Sequence, residues 1–223
     1  MQERIQITAP FSQCPTIYPV LFHDDASGTM NYIIGGTGAG YSVSYVASSA
    51  FSGTNGIKLL TRTVGPAAND IVWLSKRIPL PPSQLVRFRV HTMHPYGGPV
   101  AWRCFLLYFY TGDTTYAAEI KLDDSDEKVY YAATIRANYT DTGLTFVEDL
   151  NYWNLIDFSF NIQTGFWHKL RVNGQVLDVS GIPLASAAAV NPTGLTLYIE
   201  AQTLAAAYLH TNLDHILITS ENP

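Results

Sequence analysis

Residues 85–91, Leu-Val-Arg-Phe-Arg-Val-His, indicate the fold class of this chain. From Val86 onward apolar and polar side chains alternate, so that Arg87, Arg89 and His91 share one face of the segment. A period of two is typical of a β-strand that buries one face and exposes the other. The segment therefore predicts a strand in a layered β-structure.

Segments of this kind recur along the chain between turn residues, and Asn173-Gly174 is the strongest hairpin signal among them. About a dozen short strands without a long helix predict an all-β fold, an antiparallel two-sheet β-sandwich of the jelly-roll kind. Only residues 185–190 are compatible with a turn or two of helix. The predicted strands are residues 20–23, 41–46, 57–63, 71–78, 85–93, 101–110, 116–122, 129–136, 144–147, 153–162, 167–172, 176–179, 195–201 and 213–219.

The domain organisation predicted from the sequence is simple. No linker or change of composition divides the chain, so residues 20–223 are assigned to one sandwich domain. Residues 1–19 mix Pro, Ser and Thr and are assigned to an N-terminal arm or a lead-in strand.

The composition narrows the range of partners. Charged residues make up 14% of the 223 residues, against roughly 25% in an average soluble domain. Such a surface suits contact with sugars or with neighbouring subunits, a homo-oligomer included. The net charge of −5 repels nucleic-acid phosphates, and no apolar run reaches the roughly 20 residues of a membrane span. We therefore expect neither a nucleic-acid nor a membrane partner.

The N-terminal segment lacks the apolar core of a signal peptide, so cytoplasm and virion surface are the most compatible locations. Two cysteines, Cys14 and Cys104, are too few for a disulfide framework. Cys104 lies within an apolar run and is predicted to be a small buried side chain. A bridge between Cys14 and Cys104 is the alternative in an oxidising compartment.

Aromatic residues form 13% of the chain, and sugar-binding sites use aromatic rings together with a few polar groups. Residues 103–110 are apolar on both faces, which indicates a central strand whose outer face is covered or serves as a binding surface. The rings predicted to be exposed and ligand-binding flank loops, the alternative being that they pack in the core. They are Tyr130, Tyr131, Tyr139, Tyr152 and Trp153.

Four segments carry a resemblance to known domains. Residues 21–32 combine an acidic residue, a Ser-Gly turn and an aromatic residue, and residues 50–59 contain a second Ser-Gly sequence. Residues 167–174 run from Trp-His into Asn-Gly, and in residues 213–218 an Asp precedes an alternating run. Together these segments resemble the sandwich carbohydrate-binding modules and the related concanavalin-like and laminin-G-like jelly-roll domains. The resemblance implies the fold more than the function, because sandwiches host lectins, hydrolases, lyases and structural proteins.

The resemblance also implies a structural Ca²⁺ ion. In the related domains the opening acid, the Ser-Gly loop and the closing Asp often converge on Ca²⁺, which takes about six to eight oxygen ligands. Here Asp24 or Asp25, carbonyls near residues 52–55, and Asp214 are the implied ligands, although His215 stands where the family commonly has a second acid. The alternative is that Asp24 and Asp25 cap a turn and Asp214 accepts backbone hydrogen bonds.

Other candidate motifs favour no particular chemistry. Residues 123–127, Asp-Asp-Ser-Asp-Glu, lack the Gly and closing Glu of an EF-hand and are predicted to be a solvated hairpin tip, a surface cation site being the alternative. Lys121 stands where a retaining glucanase has its second acid. The chain has neither a Gly-x-Ser-x-Gly elbow nor zinc-type histidine spacing. Arg87, Arg89 and His91 resemble the residue types of sandwich polysaccharide lyases only weakly.

The sequence therefore favours a non-catalytic β-sandwich binding module that binds glycans or acts in adhesion. A virion structural protein of the same fold, such as a capsid decoration or tail-fibre component, is the first alternative. A polysaccharide lyase or glycoside hydrolase is the second.

Overall fold

The computed structural model describes residues 19–79, 81, 83–94, 101–149, 152–191, 193–206 and 210–221. Within them the chain forms sixteen strands and one 3-10 turn, Ala47–Ser49. The strands are β1 (Val20–Asp24), β2 (Ile33–Gly36), β3 (Ser42–Val46), β4 (Gly56–Leu60), β5 (Ile71–Ile78), β6 (Leu85–Met93), β7 (Ala101–Tyr110), β8 (Thr114–Asp123), β9 (Lys128–Thr134), β10 (Ala137–Thr145), β11 (Asn154–Asn161), β12 (Phe166–Val172), β13 (Gln175–Asp178), β14 (Ala185–Ala188), β15 (Gly194–Thr203) and β16 (His210–Glu221).

The strands form two antiparallel sheets of eight, which confirms the predicted β-sandwich. Sheet 1 has the order β13-β12-β11-β6-β16-β4-β3, and β1 pairs with β16. Sheet 2 has the order β10-β9-β8-β7-β15-β5-β2, and β14 pairs with β8. No helix in the described part of the chain is long and apolar enough to cross a membrane.

The core lies between the two sheets and follows the alternation of the sequence. Val86, Phe88 and Val90 of β6 are fully buried, whereas Arg87 and Arg89 point outward. The Phe88 ring lies 4.9 Å from Phe158 in the same sheet and 6.2 Å from Phe105 in the opposite sheet, measured between centroids. These contacts join the two layers. Burial of such apolar surface is the main force that stabilises the sandwich.

Local sequence signals predicted most strands but missed some. β5, β6 and β7 have the predicted bounds, and Asn173-Gly174 forms the predicted hairpin turn with positive φ at both residues. The turn or two of helix with which residues 185–190 were compatible does not form. Ala185–Ala188 is strand β14, because it pairs with the edge of β8, with Ala185 opposite Ala117. β2 was not among the predicted strands, and most of β10 was missed because it contains few apolar residues.

Candidate functional site

The outer face of sheet 2 carries a continuous row of aromatic rings. On β7, Phe105, Leu107 and Phe109 face the core, so Tyr108 and Tyr110 point outward. Trp73 of β5 and Tyr198 of β15 join them on the same face. Ring centroids are 5.4 Å apart for Trp73 and Tyr198, and 6.3 Å apart for both Tyr198–Tyr108 and Tyr108–Tyr110. All four rings are partly exposed, and we call them the aromatic row.

The position of the Trp73 ring depends on a glycine in the neighbouring strand. Gly35 of β2 pairs with Trp73, and a Cβ atom at position 35 would lie 2.3 Å from Cζ2 of the indole. The missing side chain at Gly35 therefore provides the space that the Trp73 ring occupies at the end of the aromatic row.

We expect Gly35→Ala to displace the Trp73 indole and to destabilise the protein by about 1–3 kcal/mol, the usual cost of overpacking. Near-ultraviolet circular dichroism and urea unfolding measure the two effects. Gly28→Ala is the control, because a Cβ atom at Gly28 meets nothing within 4 Å. Superimposable spectra and unchanged stability in Gly35→Ala would contradict the described packing of Trp73.

A hairpin tip lies over this face. The pairing of β9 with β8 reaches only as far as Tyr131 opposite Ile120, and β14 takes the edge of β8 beyond that point. Residues 132–138, which we call the hairpin tip, therefore leave the plane of the sheet. Ala132 packs in one cluster with Ala117 and Ala185, and Arg136 in the turn reaches as far as β15.

Two carboxylates are buried beneath the hairpin tip, Glu119 at 0% and Glu200 at 1% exposure. Nη2 of Arg136 donates to both carboxylate oxygens of Glu200 at 2.7 Å, and the Tyr198 hydroxyl donates to Oε2 of Glu200 at 2.8 Å. Glu119 accepts hydrogen bonds from the Tyr139 hydroxyl at 2.5 Å and from the Arg136 backbone N–H at 2.9 Å. The Arg136 guanidinium also lies 5.3 Å from the centroid of the Tyr198 ring. These contacts hold the hairpin tip on the sheet.

The electrostatics of the site favour protonated hydroxyl groups. Burial raises the pKa of Tyr108 to about 12. Burial raises the pKa of Tyr139 and of Tyr198, and the neighbouring carboxylates Glu119 and Glu200 add to the effect. Burial also raises the pKa of Glu119, although its hydrogen bonds oppose the shift. At neutral pH these tyrosines are therefore hydrogen-bond donors and not bases.

Two further features complete the face. A cleft of about 170 Å³ is lined by Arg77, Tyr110, Asn191 and Thr196 at the Tyr110 end of the aromatic row. Arg77 is exposed and forms no ion pair with any residue that the structure describes.

Below the hairpin tip Cys104 is fully buried, which confirms the prediction for this residue. Cys14 lies outside the described residues, so the bridge between the two cysteines stays a prediction.

The five rings predicted from sequence lie in three separate places. Tyr130 and Tyr139 share the outer face of sheet 2, with the Lys121 ammonium 5.7 Å and 5.2 Å from their ring centroids. Tyr131 points toward the core and lies 6.5 Å from Trp167. Tyr152 and Trp153 precede β11, where Trp153 contacts Phe51 on the side of sheet 1.

The aromatic row and its polar frame were missed at the sequence level. A signal was present, because Tyr108-Phe109-Tyr110 and Tyr198-Ile199-Glu200 each place two polar or aromatic residues around one buried residue. No local signal shows that Arg136 crosses the sheet to Glu200.

The acidic residues implied as calcium ligands have other partners. Oδ2 of Asp24 accepts hydrogen bonds from the hydroxyls of Tyr32 and Tyr45, and Oδ1 accepts one from the N–H of Ala26. In Asp25, Oδ1 accepts hydrogen bonds from the N–H and hydroxyl of Ser27.

Asp214 lies on the strand that pairs with β1, and its Oδ2 accepts hydrogen bonds from the N–H groups of Phe51 and Ser52. Asp24 and Asp25 thus cap a turn and Asp214 accepts backbone hydrogen bonds, as the alternative to a calcium site predicts. Because donors already engage the carboxylates of Asp24 and Asp214, this set fits a Ca²⁺ ion poorly. These hydrogen bonds do not test directly whether Ca²⁺ binds, so the calcium site stays a prediction.

The acidic cluster at residues 123–127 is only partly solvated. It does connect β8 to β9, and Ser125, Asp126 and Glu127 are exposed. Asp124, however, is buried with 4% of its side chain exposed, because it pairs with Arg103. The prediction of a solvated tip is wrong for Asp124.

Comparison with known proteins defines the fold. No protein family and no curated protein sequence matches this chain. Among solved structures, an endo-β-1,4-glucuronan lyase from the fungus Trichoderma reesei matches with a TM-score of 0.64 and 10% identity, over 90% of this chain and 95% of the lyase. The cellulose-induced protein Cip1 matches with a TM-score of 0.50 and 13% identity, over 91% and 98%. The CBM22-1 xylan-binding domain of Paenibacillus barcinonensis Xyn10C matches at 0.46 and 11% identity, over 92% and 97%. The likeness to the lyase and to Cip1, together with the two antiparallel sheets, shows the jelly-roll sandwich fold that the sequence resemblance implied.

Proposed function

We propose that this protein is a non-catalytic sandwich that binds a glycan along the aromatic row of sheet 2. The observation that carries the proposal is the continuity of the row. Trp73, Tyr198, Tyr108 and Tyr110 follow one another at 5.4–6.3 Å across three adjacent strands and are all partly exposed. Aromatic rings contribute large rigid contact areas, and a small number of polar groups fixes the orientation of the ligand.

The polar groups next to the row suit a ligand rich in hydroxyls. Arg77, Asn191 and Thr196 line the cleft beside Tyr110 and supply donors and acceptors. Arg136 is held in place by Glu200, so its remaining N–H groups have a defined direction. Preorganised groups of this kind lose little conformational entropy when a ligand binds.

The comparisons support a polysaccharide as the class of ligand. The lyase with a TM-score of 0.64 acts on glucuronan according to its name. At 10% identity this likeness concerns the fold, so the ligand of the present chain is a hypothesis that rests on the aromatic row.

The geometry favours binding over catalysis. Glu119 and Glu200 are covered by the hairpin tip and engaged by Tyr139, Tyr198 and Arg136. A general base must lie within hydrogen-bond reach of the proton that it abstracts. Neither carboxylate is accessible to a sugar on the surface, and the tyrosine hydroxyls retain their protons at neutral pH.

Affinity electrophoresis in gels that contain soluble polysaccharides, xylan and glucuronan among them, tests the proposal. We expect at least one polysaccharide to retard the wild-type protein. Trp73→Ala and Tyr198→Ala should each weaken binding by about tenfold or more, because loss of a central aromatic contact costs about 1.4–2 kcal/mol or more. The double variant Tyr152→Ala/Trp153→Ala, which alters rings away from the row, should bind like the wild type. If the Trp73→Ala and Tyr198→Ala proteins are both retarded as strongly as the wild type, the proposal is overturned.

A glycan lyase is the second candidate function, and the fold likeness to the glucuronan lyase favours it. Incubation with glucuronan, followed by the ultraviolet absorbance of unsaturated products, distinguishes the two. We expect no product above a buffer control. Steady product formation would show instead that the protein is a lyase. A structural role in a virion, with neighbouring subunits as partners, stays a prediction.

A further inference from the structure

Four ionisable side chains are buried together at one end of the sandwich, away from the aromatic row. Arg103 lies near the start of β7, His94 directly follows β6, Asp124 directly follows β8, and Glu148 follows β10. The exposed fractions of their side chains are 1%, 3%, 4% and 19% respectively. Groups of this kind are rarely buried without close partners.

Three of these side chains converge on one point. Nδ1 of His94 shares a hydrogen bond of 2.5 Å with Oε1 of Glu148 and lies 3.6 Å from Oδ2 of Asp124. One ligand atom from each residue lies within 4.8 Å of the others. One imidazole nitrogen and two carboxylate oxygens form a donor set that divalent transition metals accept.

The fourth side chain orients the two carboxylates. Nη2 of Arg103 donates to Oδ1 of Asp124 at 2.6 Å and to Oε2 of Glu148 at 3.2 Å. Each carboxylate thus gives one oxygen to Arg103 and turns the other toward His94. Outer partners that fix ligand direction in this way are a regular feature of metal sites. The Arg103 guanidinium is held in turn over the Phe146 ring, 5.1 Å from its centroid.

An unsatisfied atom points to a missing partner. Oδ2 of Asp124 is buried and has no hydrogen-bond partner among the described residues. Most buried polar atoms in native proteins have one, so this oxygen requires an explanation. Both carboxylates also share a single guanidinium, that of Arg103.

We propose that His94, Asp124 and Glu148 bind a divalent transition-metal ion such as Zn²⁺, with Arg103 as the residue that orients the two carboxylates. An imidazole ligand favours such an ion over Ca²⁺ or Mg²⁺, which prefer oxygen ligands alone. Three protein ligands leave a fourth position for water. The ion ties together the segments that follow β6, β8 and β10, and its role in this protein is to stabilise that end of the sandwich.

The competing explanation is an ionic cluster in which His94 is protonated and contacts both carboxylates. That cluster is electrically neutral and needs no ion. The two explanations differ in what happens when metal is added, because a protonated His94 that is satisfied by two carboxylates gives Zn²⁺ no site.

Isothermal calorimetry with Zn²⁺ and visible absorption with Co²⁺, on the full chain after chelation, test the proposal. We expect one equivalent of metal per chain, a Co²⁺ spectrum typical of a protein-bound ion, and an unfolding midpoint that rises with Zn²⁺. His94→Gln and Asp124→Asn should each weaken Zn²⁺ binding by more than about 100-fold. Loss of a residue that only orients a metal ligand usually weakens binding by about 10- to 100-fold. His168→Gln is the control, because His168 is exposed on sheet 1 and bonds to Ser159.

Two outcomes would overturn the metal site. One is a wild-type protein whose unfolding midpoint and Co²⁺ spectrum do not respond to metal, and this measurement does not depend on the folding of any variant. The other is a folded His94→Gln protein that binds Zn²⁺ as tightly as the wild type. Neither measurement involves the aromatic row, so the glycan proposal stands or fails independently.

Discussion

Replacing Arg136 by Met is expected to lower the free energy of unfolding by about 2–3 kcal/mol and to weaken glycan binding. The reason is the Glu200 carboxylate, which is 1% exposed and accepts a hydrogen bond of 2.7 Å from Arg136 at each of its two oxygens. Loss of one partner from a buried ion pair costs about 3–5 kcal/mol, and we reduce that figure because one third of the Arg136 side chain is exposed. Arg136 has φ of 60° in the wild type, and Met meets the same strain there.

Urea unfolding measures the stability of Arg136→Met, and affinity electrophoresis measures its binding. Lys128→Met is the matched control, because Lys128 lies at the base of the same hairpin and its pair with Asp141 is exposed. Exposed pairs contribute little to stability. The double variant Arg136→Met/Glu200→Gln should recover part of the loss, since it removes the unpaired charge as well. Wild-type stability in Arg136→Met would show that the hairpin tip is not anchored through Glu200.

Replacing Asp157 by Asn is expected to destabilise the protein by about 3 kcal/mol at pH 7. Asp157 lies on the outer face of sheet 1 with only 6% of its side chain exposed. Arg87 donates to Oδ1 at 2.7 Å and to Oδ2 at 2.5 Å, and Arg89 donates to Oδ2 at 3.2 Å. Asn at this position would leave two neighbouring guanidinium groups without their shared carboxylate.

The effect should depend on pH in a defined direction. Burial alone would raise the pKa of Asp157, but hydrogen bonds and charge from Arg87 and Arg89 outweigh it and lower the pKa below its ordinary value. The stabilisation is therefore complete above the pKa of the unfolded chain, about 3.9, and is lost as the pH falls through the lower pKa of the folded state.

Urea unfolding at pH 7 and at acidic pH measures this dependence. The difference between wild type and Asp157→Asn should shrink toward acid. Asp178→Asn is the control, because Asp178 is exposed and its carboxylate bonds only to Ser180 within the described residues. A difference that stays constant down to strongly acidic pH would contradict this account of Asp157.

On the outer face of β6, residues that are distant in sequence decide the role of the arginines. Alternation correctly placed Arg87, Arg89 and His91 on one face and suggested a weak likeness to lyase residues. The structure pairs the two arginines with Asp157, which lies 70 and 68 residues further along the chain. His91 instead stacks on Phe51, with centroids 4.1 Å apart. The two arginines are therefore members of an ion-pair network on the outer face of sheet 1.

The sequence by itself determined the all-β class, the bounds of β5, β6 and β7, the Asn173-Gly174 hairpin and the burial of Cys104. These features depend on side-chain periodicity and turn geometry, which act over a few residues. Only the tertiary structure decided which rings form a surface and which charges are buried together. Arg136 meets Glu200 across 64 residues, and that contact exists because the hairpin tip leaves its sheet and crosses two strands. Strand order is set by packing of the whole chain, so no local pattern carries that information.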